Sequence, residues 1–327
     1  MVLVLSLASV HARGRTIHVD PTDPADFHSV QRAVDAAASG DVITVSPGIY
    51  REVVVIAKPI LTLRGEGSGP EQTVFVFDKS AGSTGSTFRS STVEVRGDDF
   101  HASNLTFAND FNATHPQLPQ GSQALALFVD GDRAVFRNMR FLGNQDTLYA
   151  ASRNCNPDGN PCIPARQYFA NCYIEGNVDF IFGDGKAFFD QFEIHSTAHD
   201  GGYITAHGKH YAEEDSGFVF DRCKLTAEAG VNHVWLGRPW RAYATVVFLN
   251  TEMGAHIEPA GWREWHPGET NYIERVFYAE YNSIGAGSHA AERDPHTKHL
   301  SASEATRYKA ASFLAGTDKW DPTAVHP

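Results

Sequence analysis

Long apolar runs are missing from this 327-residue chain. Beyond its first dozen residues, nothing approaches the roughly 18 consecutive apolar residues that a membrane span needs. Basic residues are also scarce. Lys and Arg number 27 against 39 Asp and Glu, for a formal charge of −12. Such a surface excludes nucleic acid as the natural partner. Attraction for an anionic polymer would have to come from a local basic patch. There are only 4 cysteines, and no close Cys pair or Cys/His set stands at zinc-ligand spacing, so no metal or cofactor is expected. The 16 histidines are scattered and read singly as surface or turn residues. No Gly-x-Ser-x-Gly elbow occurs, which leaves a serine-hydrolase site without support.

What is present begins with Gly176-Asn177-Val178-Asp179-Phe180-Ile181-Phe182-Gly183. One carboxylate sits inside a run of large apolar residues, where an ionised Asp is rare unless paired or working. Upstream lies Gln145-Asp146-Thr147-Leu148-Tyr149, and downstream Leu236-Gly237-Arg238-Pro239-Trp240. Two carboxylates, amide donors, an arginine and an aromatic platform suit ester cleavage.

Between about residues 42 and 290 the chain repeats itself loosely. Tyr168-Phe169-Ala170-Asn171-Cys172-Tyr173-Ile174, Phe188-Phe189-Asp190-Gln191-Phe192-Glu193-Ile194 and Phe218-Val219-Phe220-Asp221-Arg222-Cys223-Lys224-Leu225 share one pattern. Short strand-like runs recur without interleaved helices, and no Asn-Gly hairpin recurs at the junctions. That argues for an all-β solenoid, a right-handed parallel β-helix, rather than a β-sandwich. A helix over Phe27 to Ala38, with Asp26 or Ser29 as cap, would close one end, and a helix over Ser303 to Leu314 the other. Pro116 to Gly121, Asn154 to Pro164 and Ala255 to Tyr272 read as loops. No linker is visible, so residues 13–327 are expected to form a single catalytic domain.

Successive coils lie about 4.8 Å apart. Gln123 and Gln145 are 22 residues apart, one coil. Asp146 and Asp179 are 33 apart, one coil plus a loop. Gln123, Gln145, Asp146 and Asp179 therefore line one groove. Arg238 lies about two coils further on, at the limit of its reach. Each residue alone has a plainer reading: a turn aspartate, an amide ladder, a surface Arg-Pro turn, a core aromatic.

Together with Gly121-Ser122-Gln123-Ala124-Leu125-Ala126-Leu127 and the N-terminal Asp26 to Ala37 segment, these motifs resemble the pectin methylesterases over nearly the whole chain. The resemblance implies the same β-helix, acting on methyl-esterified pectin (homogalacturonan) to release methanol. It implies Asp179 as nucleophile, Asp146 as acid and base, Gln123 and Gln145 as oxyanion donors, and Arg238 as the group holding Asp179 ionised. Tyr149, Phe182 and Trp240 match its sugar-stacking aromatics, and Val178 packs beside the nucleophile. The competing readings are a pectin lyase or polygalacturonase on the same fold, or a non-catalytic polysaccharide-binding relative. The lyase lacks a strong acidic calcium cluster, and the polygalacturonase lacks its Asn-Thr-Asp and Gly-His-Gly motifs.

Met1 to Ala12 resembles the latter part of a secretory signal, so the protein is expected outside the cytosol, extracellular or periplasmic, as a monomer. Cys155 and Cys162 bracket a turn-rich loop and are expected to be disulfide-bonded. Cys172 and Cys223 occupy the same place in the repeat, with Phe192 between them. Two coils put them about 9.6 Å apart, too far for a disulfide, so both should be buried free thiols.

Overall fold

The computed structural model describes residues 14–24, 26–117, 120–155, 161–198, 201–266, 268 and 270–325. The signal-like segment Met1–Ala12 lies outside them. Three parallel sheets of eleven, eight and seven strands wrap one core. Each coil contributes one strand to each sheet in turn, as in Ala134–Arg137, Arg140–Leu142 and Leu148–Ala150, then Arg166–Ala170, Tyr173–Gly176 and Val178–Gly183. Every ladder is parallel, which makes the fold the expected parallel β-helix.

The recurring polar residue after each aromatic run has a backbone cause. Asn104, Asn138, Asn171, Gln191, Arg222, Asn250 and Asn282 all hold positive φ, between 48° and 58°. The first six form the corner between the eleven-stranded and eight-stranded sheets, and Asn282 follows the eleven-stranded sheet's Phe277–Tyr281. Asparagine tolerates the left-handed region better than most residues, which is why it dominates these corners. Some corners bond to each other, as Asn138 Nδ2 donates to Asn104 Oδ1 at 2.9 Å and Asn282 Nδ2 to Asn250 Oδ1 at 3.0 Å.

Inside, the aromatic positions of the repeat form a column. Phe136, Phe169, Phe189, Phe220 and Phe248 are fully buried and paired in register on adjacent strands. Their rings stack at 4.8, 4.9, 4.5 and 4.6 Å. The next position in register is Glu280. Its carboxylate accepts from Arg293 Nε at 2.6 Å, and Arg293 also donates to the carbonyls of Pro259 and Gly287. A buried, fully partnered ion pair thus ends the column near the C-terminal coil.

The helix Val30–Ala36 is capped by Ser29 and covers the first coils, burying Val30, Ala33 and Val34. Residues 303–314 form short turns, Ala302–Ala305, Thr306–Tyr308 and Ala310–Phe313, instead of one helix. Ala305, Ala310 and Leu314 pack on Val135, Tyr168, Phe188, Val219 and Val247, the outer face of the eleven-stranded sheet. The break falls at Lys309, whose backbone is extended between Thr306–Tyr308 and Ala310–Phe313. His207 is not a surface or turn residue as expected but lies buried on the strand Gly202–His207, and His256 is a buried turn residue. Burial pushes His207 down to about 3, so it stays neutral and accepts from the Thr245 N–H through Nδ1.

Cys155 and Cys162 are disulfide-bonded, and Cys172 and Cys223 are buried free thiols. The ladder sets Tyr173 beside Glu193 and Glu193 beside Lys224, so the preceding residues Cys172, Phe192 and Cys223 stack in that order. Residues 156–160 of the bracketed loop lie outside the described residues. Titration of the denatured, unreduced protein should find two thiols. Finding none would overturn this register. Phe189→Ala should cost about 3–5 kcal/mol in denaturant unfolding, because it opens a gap in the middle of the column. A loss below about 1 kcal/mol would show that the column is not what holds the coils.

Candidate active site

The seven-stranded sheet turns its outer face to a cavity of about 260 Å³ lined by Gln123, Gln145, Asp146, Asp179, Phe182, Arg238 and Trp240 among others. Two more of the expected residues stand apart from this lining. Tyr149 is buried against Phe182, with ring centres 4.7 Å apart, and Val178 lies at the start of its strand.

Local backbone aims the polar groups. Gln145, Asp146 and Asp179 all have left-handed φ, at 54°, 62° and 50°. Non-glycine residues held there carry about 1–3 kcal/mol of strain each, and such strain clusters at functional sites. At Asp179 the conformation comes from a bulge: Val178 pairs with Tyr203 but Ile181 pairs with Thr205, so one strand carries an extra residue. At Gln145 the tether is Asn177, whose Oδ1 accepts from the N–H groups of both Gln145 and Val178 at 2.7 Å. Asp146 N–H donates to the Val178 carbonyl at 3.1 Å, placing Asp146 one coil from Asp179. Gly237 permits the close approach before Arg238, since a Cβ there would meet Thr205 Oγ1 at 2.0 Å.

Arg238 reaches Asp179 without difficulty, across the one intervening coil. Nε and Nη2 donate to the two carboxylate oxygens at 3.0 and 2.6 Å, a two-pronged, charge-assisted pair. Its guanidinium lies over the rings of Tyr203 and Trp265, at 4.1 and 4.3 Å. Neither ring was singled out from the sequence. Tyr203 stands on the next strand of the sheet, and Trp265 comes from the loop expected over residues 255–272. Thr87 and Phe88, on the turn Thr87–Arg89, form another part of the wall that sequence reasoning missed. Phe88 lies 4.9 Å from the ring of Tyr149.

The two carboxylates differ in partner. Burial pushes Asp179 above its ordinary value, and the Arg238 bonds and charge oppose that push. Asp146 is pushed well above its ordinary value, first by burial and then by the charge of Asp179. Among the described residues it has no hydrogen-bond partner for its carboxyl group, so nothing local holds the charged form. The side-chain amides of Gln123 and Gln145 are likewise unpartnered among the described residues. For a metal, the described residues bring three ligand atoms within 4.8 Å only at Cys155, Cys162 and Asp184, and those two sulfurs are bonded to each other.

A family model described as Pectinesterase matches residues 16–317. The chain belongs to the pectinesterase family. It is 37% identical over 319 residues to Pectinesterase 31 of Arabidopsis thaliana, covering 93% of each. It is 36% identical over 319 residues to Pectinesterase QRT1 of the same plant, covering 94% of this chain and 78% of that one. The fold overlays carrot pectin methylesterase with a TM-score of 0.83 at 28% identity, covering 98% of both chains. A pectin methylesterase solved in complex with a hexasaccharide overlays with a TM-score of 0.78 at 28% identity, covering 97% of this chain and 100% of that one. The protein is therefore a carboxylic ester hydrolase, a pectin methylesterase.

The raised value at Asp146 carries a stability consequence. The native state holds this proton more tightly than the unfolded chain. The resulting stability is complete below the ordinary carboxylate range and is lost as pH rises through the raised native value. Asp146→Asn should raise the melting temperature over wild type at about pH 8, and the gain should shrink toward about pH 4. An equal melting temperature at both pH values would mean that Asp146 is not desolvated.

Proposed function

We propose that Asp179 attacks the carbonyl carbon of a galacturonate methyl ester, and that Asp146 supplies and then recovers the proton. The observation that carries this reading is the asymmetry of the pair: Asp179 is bonded twice to Arg238, while Asp146, one coil away, has no such partner and is pushed further up. Two close carboxylates in unequal surroundings divide into an ionised and a protonated member.

In the first half-reaction a carboxylate oxygen of Asp179 bonds to the ester carbon. The carbonyl oxygen takes the negative charge and accepts from the Gln123 and Gln145 amides. The tetrahedral centre collapses, the C–OMe bond breaks, and the Asp146 proton goes to the departing oxygen as methanol forms. An anhydride now joins the sugar acyl group to Asp179. In the second half, Asp146 takes a proton from water as its oxygen attacks the sugar acyl carbon. Asp179 leaves as a carboxylate, back against Arg238, and Asp146 holds the proton again. Phe182 and Trp240 offer ring faces in the cavity for the sugars, and Tyr149 packs beside Phe182 from the adjacent strand.

The partner on this reading is methyl-esterified homogalacturonan. The lining residues stand on neighbouring coils of one continuous β-helix, which supports a single catalytic domain. The Cys155–Cys162 disulfide favours action outside the reducing cytosol.

Methanol release from highly methylated pectin, with the polymer unshortened, tests the reaction directly; shortened chains would point to a lyase or glycosidase. Asp179→Asn should bring release to background, because an amide is a poor nucleophile, and near-normal turnover would remove Asp179 from that role. Gln145→Ala should lower kcat about 100-fold to 1000-fold, as loss of one oxyanion donor does. The rate should fall toward acid as Asp179 takes up a proton and toward alkali as Asp146 loses one. Because both values are raised, both limbs should lie above the ordinary aspartate value of about 3.9. A rate still rising below about pH 4 would contradict an ionised Asp179.

A further inference from the structure

The two turns that carry the catalytic groups are joined by one side chain. Asn177 stands between the strands Tyr173–Gly176 and Val178–Gly183, two residues before Asp179. Its Oδ1 accepts from the N–H of Gln145 and from the N–H of Val178, both at 2.7 Å. Gln145 lies in no strand, and its N–H donates to no backbone carbonyl among the described residues. Without Asn177 it would be a part-buried donor with nothing to bond, which costs free energy. Two donors meeting at one atom also fix the amide's orientation, with its oxygen toward them.

The bonding continues on both sides. The Gln145 carbonyl accepts from the N–H of Ala124, next to Gln123, at 3.3 Å. Asp146 N–H donates to the Val178 carbonyl at 3.1 Å, and Tyr203 N–H donates to the Asn177 carbonyl at 3.1 Å. Gly202 lets that next coil close in, because a Cβ there would meet the Asn177 carbonyl oxygen at 2.3 Å. The turns of Gln123, Gln145, Asp146 and Asp179 are thus bonded neighbour to neighbour, with Asn177 at the centre. Asn177 is not among the residues lining the catalytic cavity, so it acts on the reaction only through them.

We propose that Asn177 is a positioning residue, whose side-chain oxygen sets the spacing between the oxyanion donors and the attacking carboxylate. The inference rests on the roles proposed for Asp179, Gln123 and Gln145. Donor spacing matters most when the ester carbonyl oxygen takes up charge, so Asn177 serves the transition state more than substrate binding. Sugar binding on the Phe182 and Trp240 rings makes no use of its oxygen.

The test measures kcat, KM, pH profile and melting temperature for wild type, Asn177→Ala, Asn177→Asp and Asn171→Ala. Asn177→Ala removes the acceptor and should lower kcat about 10-fold to 100-fold, with KM within about twofold of wild type. Asn177→Asp keeps an oxygen for both N–H groups and should bring kcat within about threefold of wild type at its own pH optimum. Its added negative charge favours protons on both Asp146 and Asp179, so both limbs of its profile should move to higher pH. Asn171→Ala, at a left-handed corner of the same coil, should lower the melting temperature and leave kcat within about twofold. Wild-type kcat in Asn177→Ala, or an equal loss in Asn171→Ala, would overturn the proposal. So would an Asn177→Asp enzyme as slow as Asn177→Ala, or one with an unshifted profile. Should Asn177→Ala not fold, the Asn177→Asp profile decides alone. Should wild type release no methanol, the catalytic reading fails, and amide hydrogen exchange decides the tether. Gln145 and Val178 N–H should then exchange about tenfold faster in Asn177→Ala, with the strand Leu148–Ala150 unchanged, and equal rates overturn it.

Discussion

Each coil of this protein finds partners for its backbone only in the coils before and after it. No coil can bury its own apolar face, so the stack either forms in register or does not form. Two repeated devices enforce that register. The left-handed corners turn the chain at the same point in each coil, and the phenylalanine column fills the same internal position from Phe136 to Phe248. A one-residue slip would carry these rings outward. The column stops where a buried Glu280–Arg293 pair takes the next position in register.

The catalytic cavity departs from this regularity in a limited way. Asp179 takes up the left-handed conformation within the seven-stranded sheet, and Gln145 and Asp146 do so just before its strand Leu148–Ala150, rather than at the corner between the other two. There it produces a bulge at Asp179 and a tether at Asn177, and it turns polar side chains outward from a sheet that otherwise packs hydrophobic groups. The rigid coils behind these residues hold the strain. Arg238, arriving from two coils away, bonds both oxygens of Asp179 and leaves the Asp146 carboxyl without a hydrogen-bond partner among the described residues. Electrostatic inequality between neighbouring carboxylates follows from which of them the arginine can reach.

Much of the fold was legible because a solenoid writes its structure locally. The aromatic run, the polar corner and the apolar residue after it recur along the chain, and each marks one strand, one turn and one core position. The same logic read the stacking of Cys172, Phe192 and Cys223 correctly. It failed at residues 303–314, which were read as one helix. Those apolar residues face a twisted sheet and are shared among short turns. It failed also at His207, whose burial depends on the coils above and below it rather than on its neighbours in sequence.

The sequence by itself determined the coil period, the left-handed corners, the Cys155–Cys162 bracket and the residues that carry the family's chemistry, because all of these lie within a coil or repeat from coil to coil. Only the tertiary structure decided what surrounds that chemistry. Tyr203 and Trp265 enclose Arg238, Thr87 and Phe88 wall the cavity, and Tyr149 packs beside Phe182. Trp265, Thr87 and Phe88 stand on loops that interrupt the repeat, and how far a loop folds back across the sheet is set by its own packing. Periodicity carries no record of that, so the loops' contributions to the site had to be seen in three dimensions.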